Sequence, residues 1–368
     1  MADSKGNILI LTNNLGGLHS FRKEVVKAII DSGYHVYISV PENDPRGEYF
    51  KGIGCEMILT EFNRRGKNPF TDIKLMMAYR NLIKKISPVV VLTYTIKPNV
   101  YGGIASRLEH VPQLANVTGL GDALENPGIL QKITITLYRI GLAKAHSVFF
   151  QNRSNFEICL KYRIAQNDSI LLPGSGVNLE HHKLQSYPED GVIRFLFIGR
   201  MLHDKGIEEF FQAAKAIKQK YNDVEFQILG PVEGNYQDKL EKLIEGGYVK
   251  HLGTTTDVRP YIGAVHCTIM PSYHEGMSNV NLESAANGRP VITTNVPGCK
   301  ETVDDGITGY TVKSRSTEDL IAAIERFINL PYIEKKNMGL QGRKKVEREF
   351  DRQIVVDKYL KEIENIKV

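Results

Sequence analysis

Short apolar runs alternate with longer amphipathic segments along the whole chain. The first run, Asn7–Thr12, is apolar between polar neighbours, as expected of a strand buried on both faces. A helix is predicted over residues 20–32, with its apolar positions on one face and Gly33 as its stop. A second strand is predicted over residues 36–40. This repeated order of strand, loop, helix and strand predicts an α/β class with parallel sheets.

The same alternation predicts the rest of a first domain. Helices are predicted over residues 72–86 and 130–145. Strands are predicted over residues 89–92, 113–115 and 148–151, and the run over 148–151 is taken as the last strand of this domain.

A proline and two glycines within residues 171–178 indicate a hinge between two α/β patterns. A second series follows, with a helix over residues 208–221 and strands over 194–200, 225–229, 267–270 and 291–294. The charged end, residues 344–368, is predicted to form one helix packed on the body. We therefore expect domains at 1–172 and 173–345, with 346–368 as a C-terminal helix returning to the first.

Size and composition favour a two-domain cytoplasmic protein. The chain has 368 residues, 42% hydrophobic and 24% charged, which suffices for two full cores. It has no apolar run of membrane-spanning length, and its start leads into a strand instead of a signal peptide. The four cysteines are widely separated, which argues against a zinc site or a disulfide framework.

Positive charge is concentrated in the first half of a chain whose formal net charge is +5. Such a half is compatible with an anionic membrane, a phosphorylated substrate or ordinary solubilising charge. The loop containing Arg64, Arg65 and Lys67, with the helix predicted after it, has two open interpretations. It is either a core helix with a solvated basic face, or a contact with anionic lipid headgroups or a lipid diphosphate. Nucleic-acid binding is disfavoured because the basic residues are not interleaved with aromatics in a known module.

Two cations follow the strand that opens the second domain. Arg200 and Lys205 lie just beyond it, with Gly206 at the next helix start. A guanidinium binds two phosphate oxygens at once, whereas an ammonium acts as a movable point charge. Fixed cations at this place would stabilise the negative charge that develops on a departing nucleoside diphosphate.

Two carboxylates flank a predicted helix start later in this domain. Glu275 lies in a loop after an apolar run, and Glu283 lies about two turns into the helix that follows. A helix start directs free N–H groups and a positive dipole at whatever lies before it, which suits a phosphate. The two carboxylates could then bind a sugar on one side of the phosphates and a ribose on the other.

A glycine pair, Gly16 and Gly17, follows the first strand. It either forms a simple turn or allows backbone to approach a ligand closely. The chain lacks both Gly-x-Gly-x-x-Gly and Gly-x4-Gly-Lys-Ser/Thr, which disfavours nicotinamide dehydrogenases and P-loop enzymes.

In order and spacing these motifs resemble the retaining glycosyltransferases of family 4. The resemblance is carried by Gly199-Arg200-x4-Lys205-Gly206, Glu275-Gly276, Glu283 and Gly288-Arg289-Pro290. It implies a GT-B fold: two Rossmann-like α/β/α domains facing across a cleft, with a C-terminal helix crossing back. Residues 13–17 and 93–99 look most like those of bacterial enzymes of capsular and surface polysaccharide assembly.

The resemblance also implies roles for individual residues. Arg200 and Lys205 would bind the donor diphosphate, Glu283 the ribose and Glu275 the transferred sugar, with Arg200, Lys205 and Glu275 as the catalytic set. Donor contacts would further come from Gly16, Gly17 and the backbone of Met277, Ser278, Asn279 and Val280. The sugar would keep its anomeric configuration, and no metal or cofactor would be needed beyond the UDP-sugar donor.

One feature departs from the family pattern. Many members carry a histidine at the end of a first-domain strand near the transferred sugar, whereas residues 116–119 contain none. Lys97, Asn116 or Thr118 would then supply that polar contact.

The sequence therefore predicts a glycosyltransferase moving an N-acetylhexosamine or a related uronic acid from a UDP-sugar. The acceptor would be a lipid-linked oligosaccharide, bound by the first domain at the inner membrane face. A hydrolysing UDP-sugar epimerase of similar shape and a non-catalytic nucleotide-sugar-binding subunit remain as alternatives. The sugar, the linkage, the acceptor and the oligomeric state stay open.

Overall fold

The computed structural model describes residues 5–63, 66, 68–118, 128–165 and 168–366. The chain divides into two units, one of Met1–Ser175 with Gln353–Val368 and one of Gly176–Arg352. The first division lies within residues 171–178, where the hinge is expected. The second lies after Arg352, seven residues beyond the expected end of the second domain at 345.

The first unit is built on a seven-stranded parallel sheet with the order β3-β2-β1-β4-β5-β6-β7. Its central strands are apolar and buried because helices cover both faces. The strands are β1 (Asn7–Thr12), β2 (His35–Val40), β3 (Glu56–Leu59), β4 (Val90–Tyr94), β5 (Gln113–Val117), β6 (Ser147–Phe150) and β7 (Asp168–Leu171).

Helices connect these strands, and a π-helical turn, Pro98–Gly102, follows β4. The helices are α1 (Leu15–Asp31), α2 (Gly47–Gly52), α3 (Pro69–Ile86), α4 (Gly103–Leu108), α5 (Ile129–Leu142) and α6 (Arg153–Lys161).

Helices α3 and α5 pack on the same face of this sheet. The strand register places Leu11 beside Thr93 and Thr93 beside Ala115, so Leu11 and Ala115 point to one face. Leu11 packs in a cluster with Tyr79 of α3, and Ala115 packs with Tyr138 of α5.

The second unit repeats the design with a six-stranded parallel sheet of order β10-β9-β8-β11-β12-β13. Stacked rings of Phe195 and Phe226, with centroids 5.0 Å apart, belong to its core. The strands are β8 (Ile193–Ile198), β9 (Val224–Leu229), β10 (Lys250–His251), β11 (Cys267–Met270), β12 (Val291–Thr294) and β13 (Gly309–Val312).

Its helices lie on both faces of the sheet, and short 3-10 turns occur at His203–Lys205 and Lys300–Thr302. The helices are α7 (Ile207–Lys220), α8 (Gln237–Glu245), α9 (Arg259–Gly263), α10 (Asn279–Ala286), α11 (Thr317–Ile328) and α12 (Tyr332–Glu349).

The C-terminal segment forms two helices where one was predicted. Helix α12 ends at Glu349, and a separate helix α13 (Arg352–Asn365) follows a break at Phe350 and Asp351. The break is fixed by neighbouring backbone, because the Val177 N–H donates to the Phe350 carbonyl at 2.8 Å. Helix α13 then packs into the core of the first unit through Val355, Tyr359 and other apolar residues.

Two further predictions for the first unit are wrong in detail. Helix α1 begins at Leu15 and not at residue 20, because the Asn14 carboxamide accepts a hydrogen bond from the Gly17 N–H at 3.1 Å and caps the helix. Gly16 and Gly17 are therefore helical and not loop. The run over 148–151 is not the last strand, since β7 pairs with β6 at the sheet edge. Strand β7 was missed because it is only four residues long and lies close to Pro173, which indicated a turn.

The predicted class, two Rossmann-like parallel α/β units, is confirmed. In each sheet the strand order reverses once, between β1 and β4 and between β8 and β11. Ligands of open α/β sheets bind outside the carboxyl ends of strands at such a reversal.

Candidate functional site

The second unit brings its predicted site residues to the reversal between β8 and β11. Arg200 and Lys205 follow the carboxyl end of β8, and Glu275 follows that of β11. The two strands are direct neighbours in the sheet, with Cys267 beside Phe195. Residues 70 positions apart in the chain thus share one edge of the sheet.

Gly206 holds the loop after β8 against the loop after β11. Its backbone is left-handed, at φ +69°, and a Cβ at this position would lie 2.0 Å from the Pro271 carbonyl oxygen. Only glycine allows both the conformation and this approach. The Tyr273 N–H also donates to the Asp204 carbonyl at 2.9 Å, so the loops are joined by backbone on both sides of Lys205.

Lys205 and Glu275 form an ion pair within this junction. Lys205 Nζ donates to Glu275 Oε1 at 2.5 Å, and the side chains are 23% and 14% exposed. The Ser272 hydroxyl donates to the same carboxylate oxygen at 2.9 Å. Both side chains remain partly accessible at the sheet edge. An incoming anion could therefore pair with Lys205 in place of Glu275, while Glu275 retains its hydrogen bond from Ser272.

Arg200 lies at the outer rim. Its Nη1 is 3.4 Å from Glu233 Oε2, and the two side chains are 58% and 39% exposed. Exposed pairs of this length are weak. A diphosphate could therefore displace Glu233 from the guanidinium at little cost.

Helix α10 presents its N-terminus to the same edge. Ser278 caps the helix by accepting a hydrogen bond from the Asn281 N–H, and its own N–H donates to the Gly298 carbonyl at 2.7 Å. Within the described residues the N–H groups of Asn279 and Val280 have no acceptor. Met277 is buried just before them and contributes backbone to the edge. The arrangement suits an anion.

Glu283 lies on α10 and is half-buried. Its burial raises the pKa of the carboxyl to about 7, and the positive charge of Arg352 opposes that shift. Across the described part of the chain its carboxyl makes no hydrogen bond. A carboxylate so placed can accept hydrogen bonds from ligand hydroxyl groups.

The first-unit candidates lie at the other reversal, with different environments. Gly16 is covered by the Arg46 guanidinium, since a Cβ there would lie 2.1 Å from Arg46 Nη1. Gly17 donates its N–H to the cap of α1 and so has a local structural role.

The three weaker candidates also differ in exposure. Lys97 pairs with Asp72 at 2.6 Å, and both side chains are 13% exposed. Asn116 is buried within β5, and its side-chain carbonyl accepts a hydrogen bond from the Tyr359 hydroxyl of α13. Thr118 is half-buried at the end of a described range. Gly119 and the basic loop residues Arg64, Arg65 and Lys67 lie outside the described residues.

Several residues that position the site had no role assigned to them from the sequence. Ser272 orients the Glu275 side chain through its hydrogen bond. Gly298 packs against the Glu275 backbone, since a Cβ at Gly298 would lie 2.4 Å from the Glu275 carbonyl oxygen. The Tyr273 hydroxyl donates to Glu209 of α7 at 2.6 Å. The positions of Gly298 after Pro297 and of Ser272 before the loop were visible signals of a constrained turn.

Arg289 has a structural role that the sequence did not indicate. It is fully buried, and its guanidinium donates to six backbone carbonyls, four of them those of Gln185, Ser186, Ile262 and Gly263. These hydrogen bonds connect the segment that follows the hinge to the backbone just before the amino ends of β11 and β12. Within the described residues no cluster of histidine, cysteine, aspartate or glutamate could hold a metal ion, and no helix there is long and apolar enough to cross a membrane.

Two family models match the chain in succession. The model described as "Glycosyl transferase 4-like" matches residues 8–152. The model described as "Glycosyl transferases group 1" matches residues 193–329, which contain Arg200, Lys205, Glu275 and Glu283.

Similar bacterial proteins extend over most of the chain. It is 25% identical over 364 residues, 94% of each protein, to the N,N'-diacetylbacillosaminyl-diphospho-undecaprenol alpha-1,3-N-acetylgalactosaminyltransferase of Campylobacter jejuni. It is 27% identical over 303 residues, 78% of this chain and 79% of the other, to the capsular polysaccharide biosynthesis glycosyltransferase CapM of Staphylococcus aureus.

Solved structures share the fold. A glycosyltransferase from Rickettsia africae superposes with a TM-score of 0.82 at 21% identity, over 98% of both chains. HepE of Anabaena, in complex with UDP, superposes with a TM-score of 0.81 at 14% identity, over 98% of this chain and 100% of the other.

Proposed function

The chain belongs to the glycosyltransferases that combine a glycosyl transferase 4-like domain with a group 1 domain, and on that basis we propose a UDP-sugar-dependent N-acetylhexosaminyltransferase. Its acceptor is a saccharide linked through a diphosphate to a membrane lipid, and its pathway is surface polysaccharide assembly. The Campylobacter and Staphylococcus relatives, named for such a transfer and for capsule synthesis, support this choice.

The observation that carries the proposal is the convergence of two cations, a helix N-terminus and an unbonded carboxylate at one sheet edge. Arg200, Lys205 and the N–H groups of Asn279 and Val280 supply positive charge for a diphosphate. Glu283 accepts hydrogen bonds from the ribose, and Glu275 binds the sugar. In this scheme the protein supplies the charge for the diphosphate, and no divalent cation is required.

We further propose transfer with retention of anomeric configuration. The acceptor hydroxyl oxygen forms a bond to the anomeric carbon on the face from which UDP departs, and its proton passes to the leaving phosphate. Lys205 and Arg200 stabilise the charge on that phosphate as the old bond breaks. No side chain then has to act as a covalent nucleophile.

The experiment is UDP release from a panel of UDP-hexoses and UDP-N-acetylhexosamines, with and without a lipid-diphosphate-linked sugar. We expect release that needs the acceptor, persists with a chelator and collapses in Lys205→Ala. The matched control is Lys220→Ala, which removes a lysine from an exposed ion pair with Glu325. NMR of the product then reports the anomeric configuration.

The other outcomes separate the alternatives. Acceptor-independent release at equal rate would indicate a hydrolysing epimerase. UDP-sugar binding without release across an adequate acceptor panel would indicate a non-catalytic subunit. Release abolished by the chelator and restored by a divalent cation would overturn metal-independent donor binding.

A further inference from the structure

The segment that follows β4 has an unusual backbone. Thr95 is β-branched and has a φ of +74°, a left-handed conformation that such residues rarely adopt. The π-helical turn Pro98–Gly102 follows it closely. Left-handed β-branched residues and π-helical turns both occur mostly at functional sites, because the surrounding structure has to hold them in place.

A buried network of polar side chains holds this segment. The Thr93 hydroxyl donates to the Asn99 side-chain oxygen at 2.7 Å, and the Asn99 amide group donates to the Asn116 carbonyl at 2.7 Å. The Gln113 amide group donates to the Thr93 hydroxyl at 2.9 Å and to the Asn99 carbonyl at 3.1 Å. The end of β4 is therefore fixed to β5, as a preorganised binding site requires.

Lys97, Asp72 and Tyr101, which we call the β4 triad, are joined by hydrogen bonds in this segment. Lys97 Nζ donates to Asp72 Oδ1 at 2.6 Å, and the Tyr101 hydroxyl donates to Asp72 Oδ2 at 2.7 Å. Lys97 and Asp72 are each 13% exposed, so both remain partly open to a ligand. Burial and the bond to Asp72 raise the pKa of Tyr101, which keeps its hydroxyl protonated as a donor.

The β4 triad lies at the place where a ligand of the first sheet is expected. Lys97 follows the carboxyl end of β4, one of the two strands between which the strand order reverses. The second unit has a similar group at its own reversal, where Lys205 and Ser272 both donate to Glu275. Each sheet thus has an ammonium, a carboxylate and a hydroxyl donor at this position.

The charges around the β4 triad favour a neutral ligand. In the first unit, the described residues between a strand end and the next helical segment include the charged side chains Glu42, Asp44, Arg46, Glu61 and Lys97. Each of the two cations pairs with an aspartate, whereas Glu42 and Glu61 are exposed carboxylates. An anion would be repelled by these carboxylates, so the described charges do not suit a diphosphate.

The hydrogen-bonding capacity of the β4 triad suits a sugar. A carboxylate oxygen can accept two hydrogen bonds, and an ammonium group can donate three. With its bonds to Lys97 and Tyr101 in place, Asp72 can still accept from one sugar hydroxyl, while Lys97 donates to the oxygen of the next. Hydroxyl groups on neighbouring ring carbons can make both bonds together.

We propose that the β4 triad is a sugar-binding site that binds two neighbouring hydroxyl groups of the acceptor saccharide. Asp72 and Lys97 contact the hydroxyl groups, and Tyr101 is a positioning residue that orients the Asp72 carboxylate. The identification of the ligand as an acceptor rests on the proposed function. The inference assigns the sugar of the acceptor, and not its diphosphate, to this part of the first unit.

Binding of simple glycosides tests the site without turnover. The probes are the methyl glycosides of N-acetylglucosamine and N-acetylgalactosamine, measured by saturation-transfer NMR on the full chain with saturating UDP. We expect the wild type to bind, and Asp72→Asn and Lys97→Met each to lose roughly tenfold or more in affinity, since each removes a bond to a charged group. The matched control is Lys27→Met with Asp31→Asn, which removes an exposed ion pair of the same 2.6 Å length.

Deoxygenated glycosides distinguish direct contact from a merely structural role. Glycosides that lack one of the contacted hydroxyl groups should bind the wild type more weakly than the parent compounds do. In Asp72→Asn and Lys97→Met the same deletion should change the affinity little, because the contact is already lost. Tyr101→Phe should lower the affinity by about twofold to tenfold and keep the dependence on the hydroxyl group.

Transfer assays keep this inference separate from the proposed function. With a water-soluble short-chain acceptor carrying a diphosphate-linked sugar, Asp72→Asn and Lys97→Met should raise the acceptor KM roughly tenfold to a hundredfold. The KM for the UDP-sugar should stay near that of the wild type. No transfer by the wild type to any acceptor would count against the proposed function alone, because the glycoside measurements do not depend on turnover.

Four results would overturn the sugar site. One is the absence of glycoside binding by the wild type, and another is equal glycoside binding by the triad variants and the control. A third is weaker binding of pyrophosphate by Lys97→Met with unchanged glycoside binding, which would assign the β4 triad to a diphosphate. The fourth is a higher KM for the UDP-sugar with an unchanged acceptor KM, which would assign the β4 triad to the donor.

Discussion

Lys205 and Glu275 form a 2.5 Å ion pair although they are 70 residues apart in sequence. The pair joins the loops after two neighbouring strands of the second sheet. If Lys205 stabilises the leaving diphosphate, Lys205→Ala should lower kcat by roughly 10²- to 10³-fold. Circular dichroism and thermal unfolding should show a folded variant, and Lys220→Ala should keep wild-type turnover. A Lys205→Ala enzyme with wild-type kcat would remove Lys205 from the mechanism.

Arg200 and Glu233 are separated by 3.4 Å at the exposed rim. Because donor binding would compete with this pair, Glu233→Gln should tighten UDP binding by about twofold to fivefold at low salt. Calorimetry on the single variants and on the Arg200→Ala, Glu233→Gln double variant gives the coupling. The gain should vanish in the Arg200→Ala background and at high salt. A gain that persists there would mean that Glu233 acts on the donor without Arg200.

Glu283 should make stability depend on pH. Its burial raises the pKa from 4.5 to about 7, so between those values the folded chain holds a proton that the unfolded chain has released. The unfolding free energy of the wild type should therefore fall as pH rises through this window, relative to Glu283→Gln. The relative loss is roughly 1–3 kcal/mol.

Urea unfolding of both proteins at about pH 5 and about pH 8 measures this difference. Glu245→Gln, at an exposed carboxylate on α8, is the control and should show no such trend. Over the same window UDP affinity should rise in the wild type relative to Glu283→Gln, since the carboxylate is the form that accepts ribose hydrogen bonds. Parallel pH curves for the two proteins would contradict both expectations.

Gly206 should tolerate no side chain, and the chain offers a matched control. Gly206 and Gly234 have φ of +69° and +66°, but a Cβ would lie 2.0 Å from the Pro271 oxygen at Gly206 and meet nothing within 4 Å at Gly234. Gly234→Ala should lower the unfolding free energy by about 1 kcal/mol, through the left-handed backbone conformation alone. Gly206→Ala should lower the unfolding free energy by about 2 kcal/mol more, because of the clash with Pro271, and should abolish transfer. Equal unfolding free energies for the two variants would mean that the loops separate without penalty.

Tyr359 fastens α13 to the first unit. Its hydroxyl bonds Asn116 and accepts from Arg22 Nε at 3.3 Å, and its ring stacks on Phe149 with centroids 4.4 Å apart. Tyr359→Phe keeps the stack but leaves two buried polar groups without this partner, so it should lower the unfolding free energy by about 1–3 kcal/mol.

The control for this substitution is Tyr332→Phe, which removes one bond from a half-buried hydroxyl to the Pro188 carbonyl. Tyr332→Phe should lower the unfolding free energy by less than Tyr359→Phe does, by about 0.5–1.5 kcal/mol. Equal losses in denaturant unfolding would show that the buried network around Asn116 adds nothing.

The apolar runs determined most of the strands, since a strand buried on both faces must be apolar throughout. Asn7–Thr12 and Cys267–Met270 were predicted with their observed bounds. Local capping was harder to predict: Asn14 begins α1 within a glycine-containing stretch that read as loop. The break between α12 and α13 also depends on a hydrogen bond from distant Val177, which no local pattern contains.

For the candidate site, the sequence by itself determined which residue types stand at strand ends and helix starts, because those positions follow from local periodicity. Arg200, Lys205, Glu275 and Glu283 were singled out from these positions together with the resemblance to the family 4 pattern. Only the tertiary structure decided that Lys205 meets Glu275, that Arg200 meets Glu233 and that Asn116 is buried under Tyr359. Each of these contacts depends on the order of the strands in the sheet and on the return of α13 to the first unit, which bring together residues far apart in the chain.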